Sequence, residues 1–147
     1  MNHIIVEDKL RDTNPVPVVI AFTPNYFIPA STCLYSIFAS LDTEEQMHVI
    51  CLLSEELPDR LKQKIQLIGG ERAQYSFINL QGRLQNIYID AKYTEAASYR
   101  LLLPDLLPEY DKVMYIDCDI IVRNNLVKLY RSVDLGNHYL AAVFEAP

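Results

Sequence analysis

Residues Asp111–Val122 read D-K-V-M-Y-I-D-C-D-I-I-V, an apolar run that drives into two aspartates and resumes behind them. β-Branched and aromatic residues in so short a run favour a buried strand. On an extended backbone residues two apart share a side, so Asp117 and Asp119 are expected to face one way and Cys118 the other. Two neighbouring anions repel, and a buried strand end would desolvate both. A divalent cation relieves both penalties, and paired carboxylates beside phosphate oxygens suit Mg²⁺ or Mn²⁺. Against this stands a plainer reading. Ten aspartates in the chain give about one such pair by chance, and aspartate at a strand end is also a common turn or cap residue. The apolar block Ile120-Ile121-Val122 behind the pair tilts the choice toward the cation.

Working outward, strands and helices alternate. Val18-Val19-Ile20-Ala21-Phe22 is a continuous apolar run of the kind found in central strands, closed by the turn signal Thr23-Pro24-Asn25-Tyr26. A helical pattern follows from about Pro29 to Ser40, with Cys33, Leu34, Ile37, Phe38 and Leu41 on one face. His48–Leu53 is a second buried strand. Ser54 and Pro58 then open a helix with an apolar face of Leu57, Leu61, Ile65 and Ile68, closed by Gly69-Gly70. Tyr75–Ile78 alternates like a third strand, and Leu80–Thr94 has no firm periodicity, the mark of a long loop. Ser98–Leu107 is expected to be one helix, Leu126–Tyr130 a short one, and Tyr139–Phe144 a last strand. Met1–Pro17 reads as an N-terminal arm, residues 1–15 forming the arm of a single domain over 1–147. Short links between alternating elements imply an α/β fold with a mostly parallel, helix-covered sheet. Polar residues at the strand ends then lie where such sheets bind ligands.

Composition bounds the function. A chain of 147 residues that is 50% hydrophobic and 22% charged is an ordinary single globular domain. A net charge of −6 and no basic stripe argue against a nucleic-acid partner. Cys33, Cys51 and Cys118 all lie in apolar segments without zinc-like spacing and read as buried, reduced thiols, which fits a cytoplasmic location. There is no signal peptide, and no apolar run approaches a membrane-spanning length.

The block Tyr99-Arg100-Leu101-Leu102-Leu103-Pro104-Asp105-Leu106-Leu107-Pro108, followed by Tyr110 through Asp119, resembles family 8 glycosyltransferases. These are retaining, nucleotide-sugar-dependent enzymes of the GT-A fold, a Rossmann-like sheet flanked by helices, and include lipopolysaccharide galactosyl- and glucosyltransferases. Ala21 through Asn25-Tyr26, with the helix carrying Tyr35-Ser36-Ile37, resembles the family's first nucleotide-binding loop.

The resemblance implies that Asp117 and Asp119 hold Mn²⁺ (or Mg²⁺) and through it the donor diphosphate, with Asp117 also near the ribose or sugar. Arg100 would contact the sugar or diphosphate. Ala21, Thr23, Asn25 and Tyr26 would line the base and ribose pocket. The activity implied is transfer of a hexose from UDP-glucose or UDP-galactose to a saccharide or lipopolysaccharide acceptor, with retention. By the plainer readings Arg100 pairs with Glu95 or Glu109 on a helix surface, and Tyr26 is core packing. Thr23-Pro24 replaces an acidic pair common in relatives, which removes a carboxylate able to accept from the base. The resemblance also implies an incomplete GT-A domain. Family members continue past Pro147 with a third metal ligand, the residue facing the anomeric carbon and most of the acceptor site. His3, His48 and His138 do not match that ligand and read as surface or turn residues. Low or absent transfer by the 147-residue chain is expected, and uncovered sheet edges would favour homo-oligomers. Two other classes compete: a haloacid dehalogenase-type phosphatase using Asp117 as nucleophile, and a non-catalytic nucleotide-binding or assembly module.

Overall fold

A computed structural model of the chain describes residues 14–85 and 95–143. Four parallel strands, β1 (Val16–Phe22), β2 (Met47–Leu53), β3 (Ala73–Asn79) and β4 (Met114–Asp117), form one sheet in the order β3-β2-β1-β4. Helices α1 (Phe27–Ala39), α2 (Asp59–Gln66), α3 (Glu95–Ser98), α4 (Leu103–Leu106) and α5 (Leu126–Ser132) complete the regular structure. This is the α/β, mostly parallel architecture expected from the alternation of apolar runs.

The central strands are buried along their length because both faces are covered. On one face Val18, Ile20 and Phe22 of β1 and Val49, Cys51 and Leu53 of β2 meet Cys33, Leu34, Ile37 and Phe38 of α1, Ile65 of α2 and Leu126 and Val127 of α5. The other face packs Val19, Ala21, Ile50 and Leu52 against Leu80, Leu84, Ala96, Tyr99, Leu103 and Leu107. Each fully buried aliphatic side chain contributes about 1.5–3 kcal/mol. Two interlocking apolar layers therefore hold β1 and β2 as the rigid centre.

Pro17, expected in the N-terminal arm, lies inside β1. The Val16 N–H donates to Gln46 O (3.0 Å), so the nitrogen of Pro17 faces the opposite side. Pairing with β4 starts only at Val18, and the missing donor interrupts no ladder. The rest of the expected arm, residues 1–13 with His3, lies outside the described residues, as do residues 86–94 of the expected long loop.

Three expectations are corrected. β4 stops at Asp117, and Cys118-Asp119 form a turn. The following apolar block is not strand: Ile120 and Ile121 are 41% and 61% exposed, and only Val122 turns inward. Ser98–Leu107 is not one helix but α3, a 3₁₀ turn over Tyr99–Leu102, and α4. Pro104 has no N–H to return to the preceding turn, so the backbone tightens where the bond would have formed. The last expected strand is absent over residues 139–143, where Tyr139, Leu140 and Val143 are 103%, 78% and 95% exposed. A strand needs a neighbour to take its ladder bonds, and that segment has none among the described residues. Phe144 lies outside them.

Two single residues also differ from expectation. Cys118 is half-buried rather than buried, although all three cysteines are free. His48 is not a surface or turn histidine. It sits half-buried in β2 with Nδ1 against the Tyr110 hydroxyl (2.5 Å) and Nε2 against Ser76 Oγ (2.8 Å). No helix among the described residues is long and apolar enough to cross a membrane.

Candidate active site

Where β1 and β4 end, the register sets Ala21 beside Asp117. The loops leaving both strands therefore part at the carboxyl edge of the sheet, the usual place for a ligand in such folds. A cleft of about 290 Å³ opens there. Ala21, Phe22, Thr23 and Tyr26 form one wall, Ala96, Ala97 and Arg100 another, and Tyr115, Asp117, Cys118 and Asp119 the floor. The alanines leave the space that larger side chains would fill.

Asp117 ends its strand on the cleft side, and the turn after it brings Asp119 to the same cleft. Both are exposed. Cys118 packs its side chain against the α1 layer on the other side of the sheet. The shared direction of the carboxylates thus comes from a turn rather than from strand alternation. Exposure also corrects the expected desolvation: what a cation would relieve here is the mutual repulsion of the pair.

Arg100 reaches over this floor. Its Nε donates to Ala97 O (2.8 Å), its guanidinium lies 4.8 Å from the centre of the Tyr115 ring, and Nη2 is 3.6 Å from Asp117 Oδ1. The ion pair of Arg100 is thus with Asp117 rather than with Glu95 or Glu109. Burial raises the Tyr115 hydroxyl above its ordinary pKa, with Arg100 opposing, so Tyr115 stays a neutral platform under the guanidinium. Tyr26 is 46% exposed at the rim and is not core packing. The Thr23 hydroxyl makes no capping bond to the turn over Pro24–Tyr26. Asn25 is exposed and does not line the cleft.

Of the sequence-derived residues, the fold brings Ala21, Thr23, Tyr26, Arg100, Asp117 and Asp119 together and leaves Asn25 aside. Tyr115 was missed, though as the residue two before Asp117 on a strand it had to share its side. Ala96 and Ala97 carry no chemical signal in the sequence. Two hard carboxylates on an open cleft fit an oxygen-preferring divalent cation. No group of three His, Cys, Asp or Glu able to hold a metal occurs among the described residues.

The chain is similar to known proteins over most of its length. Residues 17–146 match the family described as "Glycosyl transferase family 8". General stress protein A of Bacillus subtilis (strain 168) is 23% identical over 140 residues, which cover 93% of this chain and 49% of that protein. The chain thus spans about half the length of that curated relative. Among solved structures, the apo bifunctional glycosyltransferase WbbM superposes with a TM-score of 0.71 at 25% identity, covering 93% of this chain and 23% of that one. The galactosyltransferase LgtC in complex with donor and acceptor sugar analogs gives 0.64 at 25% identity, covering 82% and 44%. The chain therefore has the fold of the GT-A glycosyltransferases.

Proposed function

The chain belongs to glycosyl transferase family 8, and from that premise we propose that its cleft binds a nucleoside-diphosphate sugar, UDP-glucose or UDP-galactose, for hexosyl transfer to a saccharide acceptor with retention. The observation that carries this reading is the convergence of Asp117, Asp119 and Arg100 on one open cleft at the carboxyl edge of the sheet.

The division of labour follows from charge. Departure of a sugar from a diphosphate leaves negative charge on the nucleotide, and groups already aimed at that charge stabilise it as it grows. Asp117 and Asp119 are the residues that would hold Mn²⁺ or Mg²⁺, which when bound supplies Lewis-acid stabilisation of the leaving diphosphate. Arg100, steadied by the Ala97 carbonyl and the Tyr115 ring, is in place to orient the diphosphate through its remaining N–H donors. Tyr26 offers a ring at the rim for the base, the Thr23 hydroxyl a partner for its polar edge, and Ala21 room for the ribose. Asn25, outside the cleft lining, would contact the nucleotide only through movement of its turn. An acceptor saccharide, including one on lipopolysaccharide, would approach from the open side.

Calorimetry of UDP-glucose and UDP-galactose with Mn²⁺ tests the reading directly. Cation-dependent binding is expected, at least tenfold weaker in the Asp117→Asn, Asp119→Asn double variant and in the presence of a chelator. Equal binding by the double variant would remove the two aspartates from the site.

A further inference from the structure

Among the described residues no strand lies beside the turn that carries the aspartates beyond Asp117, yet the backbone groups at its two ends have partners. Two side chains of α1 and that of Ser40, which caps its C-terminal end, take them. Cys33, Ser36 and Ser40 follow one another by three and four residues and so share one face of the helix line. The Cys33 thiol points at Asp117 O (3.7 Å). Ser36 Oγ accepts from the Val122 N–H (2.8 Å) while donating to Cys33 O (2.7 Å). Ser40 Oγ shares its proton between Ser36 O (2.8 Å) and Val122 O (3.2 Å). Both ends of the turn are thereby pinned to one helix.

Helix stability alone does not ask for this stripe. Serine is a weaker helix former than alanine, and hydroxyls that return to their own helix carbonyls do not strengthen it. Cys33 is wholly buried, and the acceptor across from its thiol is Asp117 O in the neighbouring strand end. What the stripe adds is long-range: it joins α1 to the segment that separates and orients Asp117 and Asp119.

We propose that Cys33, Ser36 and Ser40 are positioning residues, which lock the Asp117–Val122 turn to α1 so that both carboxylates face one cleft before any ligand arrives. The consequence for cation and nucleotide binding rests on the donor-binding reading above; the lock itself does not. A held turn spares the ligand the ordering of that backbone, which is how preorganisation raises affinity.

Amide hydrogen exchange and Mn²⁺ electron paramagnetic resonance with UDP separate the two. In the Ser36→Ala, Ser40→Ala double variant, exchange at Val122 is expected to rise at least tenfold relative to Val19 in the sheet centre, and Mn²⁺ affinity in the presence of UDP to fall at least fivefold. Ser36→Thr, which keeps the hydroxyl, restores protection at Val122. Ser132→Ala, which removes a hydroxyl bonded to its own helix at Leu129 O, changes neither readout. Unchanged protection at Val122, or protection lost in step with Val19, overturns the lock. Raised exchange with unchanged Mn²⁺ affinity overturns the positioning role. A wild-type chain that binds no Mn²⁺ with UDP sinks the donor reading instead, while the exchange comparison still decides whether the turn is held.

Discussion

On the donor-binding proposal Arg100 serves two partners, Asp117 and the diphosphate, which makes its removal informative. With no cation bound it neutralises part of the Asp117 charge across 3.6 Å, at a site where both side chains are about half exposed. Such a pair is worth roughly 0.2–1 kcal/mol, so a cation arriving at Asp117 works against at most a factor of about five. Arg100→Ala is therefore expected to tighten Mn²⁺ binding in the absence of nucleotide by up to that factor and to weaken UDP-sugar binding. Titrations with the metal alone and then with the donor check both halves, and a loss in both would assign Arg100 to stability alone. His48 answers to pH. Burial lowers its pKa, with Glu109 opposing, and its two nitrogens face Tyr110 and Ser76. The folded chain thus binds this proton less readily than the unfolded one. Its contribution to stability is complete above the ordinary histidine value of about 6.5 and is lost as pH falls through the depressed value. Urea midpoints should drop between pH 7.5 and 5.5 more in the wild type than in His48→Gln.

Small contacts between elements decide how well α5 and the link from α2 to β3 are held. Lys112 donates from Nζ to Tyr130 O and Val133 O, both at 2.7 Å, and lies 4.2 Å from the Tyr130 ring; the Tyr130 hydroxyl returns a bond to Lys112 O. The end of α5 is thus capped by a cation from the approach to β4. Lys112→Met is expected to cost about 1.5–3 kcal/mol through these charge-assisted bonds, measured by denaturant unfolding. Gly69 adopts φ +86°, and a Cβ there would come within 2.8 Å of the Phe38 ring and Ala73 Cβ. Gly69→Ala should lower stability by more than about 1 kcal/mol, checked the same way. The Gly69-Gly70 stop was legible in the sequence, as were β1, β2, β3 and the buried face of α1, because each is a run whose apolar period leaves one answer. The end of β4 was not. Ile120 and Ile121 have strand-like chemistry, but among the described residues no neighbouring ladder takes them up and they turn outward. The cleft was legible in its charged members, since Asp117, Asp119 and Arg100 carry chemistry. It was illegible in Ala96 and Ala97, whose contribution is the volume they leave free.

The exposed apolar surface carries a consequence for the whole molecule. Among the described residues β4 is an edge strand of four residues with neither proline nor lysine among them, so nothing in its own sequence discourages pairing with another chain. Ile121, Tyr139, Leu140 and Val143 are each more than half exposed, and water favours any arrangement that covers them. Opposing this is a net charge of −6, which repels like copies over a distance set by salt, about 10 Å at 0.1 M ionic strength and about 3 Å at 1 M. The two effects respond oppositely to salt: screening removes the repulsion and leaves the hydrophobic attraction in place. The chain is therefore expected to sediment as a monomer at low ionic strength and to associate as salt and concentration rise. Leu140→Glu with Val143→Glu should shift that association to at least tenfold higher protein concentration, because it replaces apolar area with charge of the sign that already repels the copies. Sedimentation velocity at two salt concentrations checks this. A monomer under both conditions would mean that the exposed side chains are too scattered to form a joint surface. Association that weakens with salt would mean that charged contacts hold the copies together.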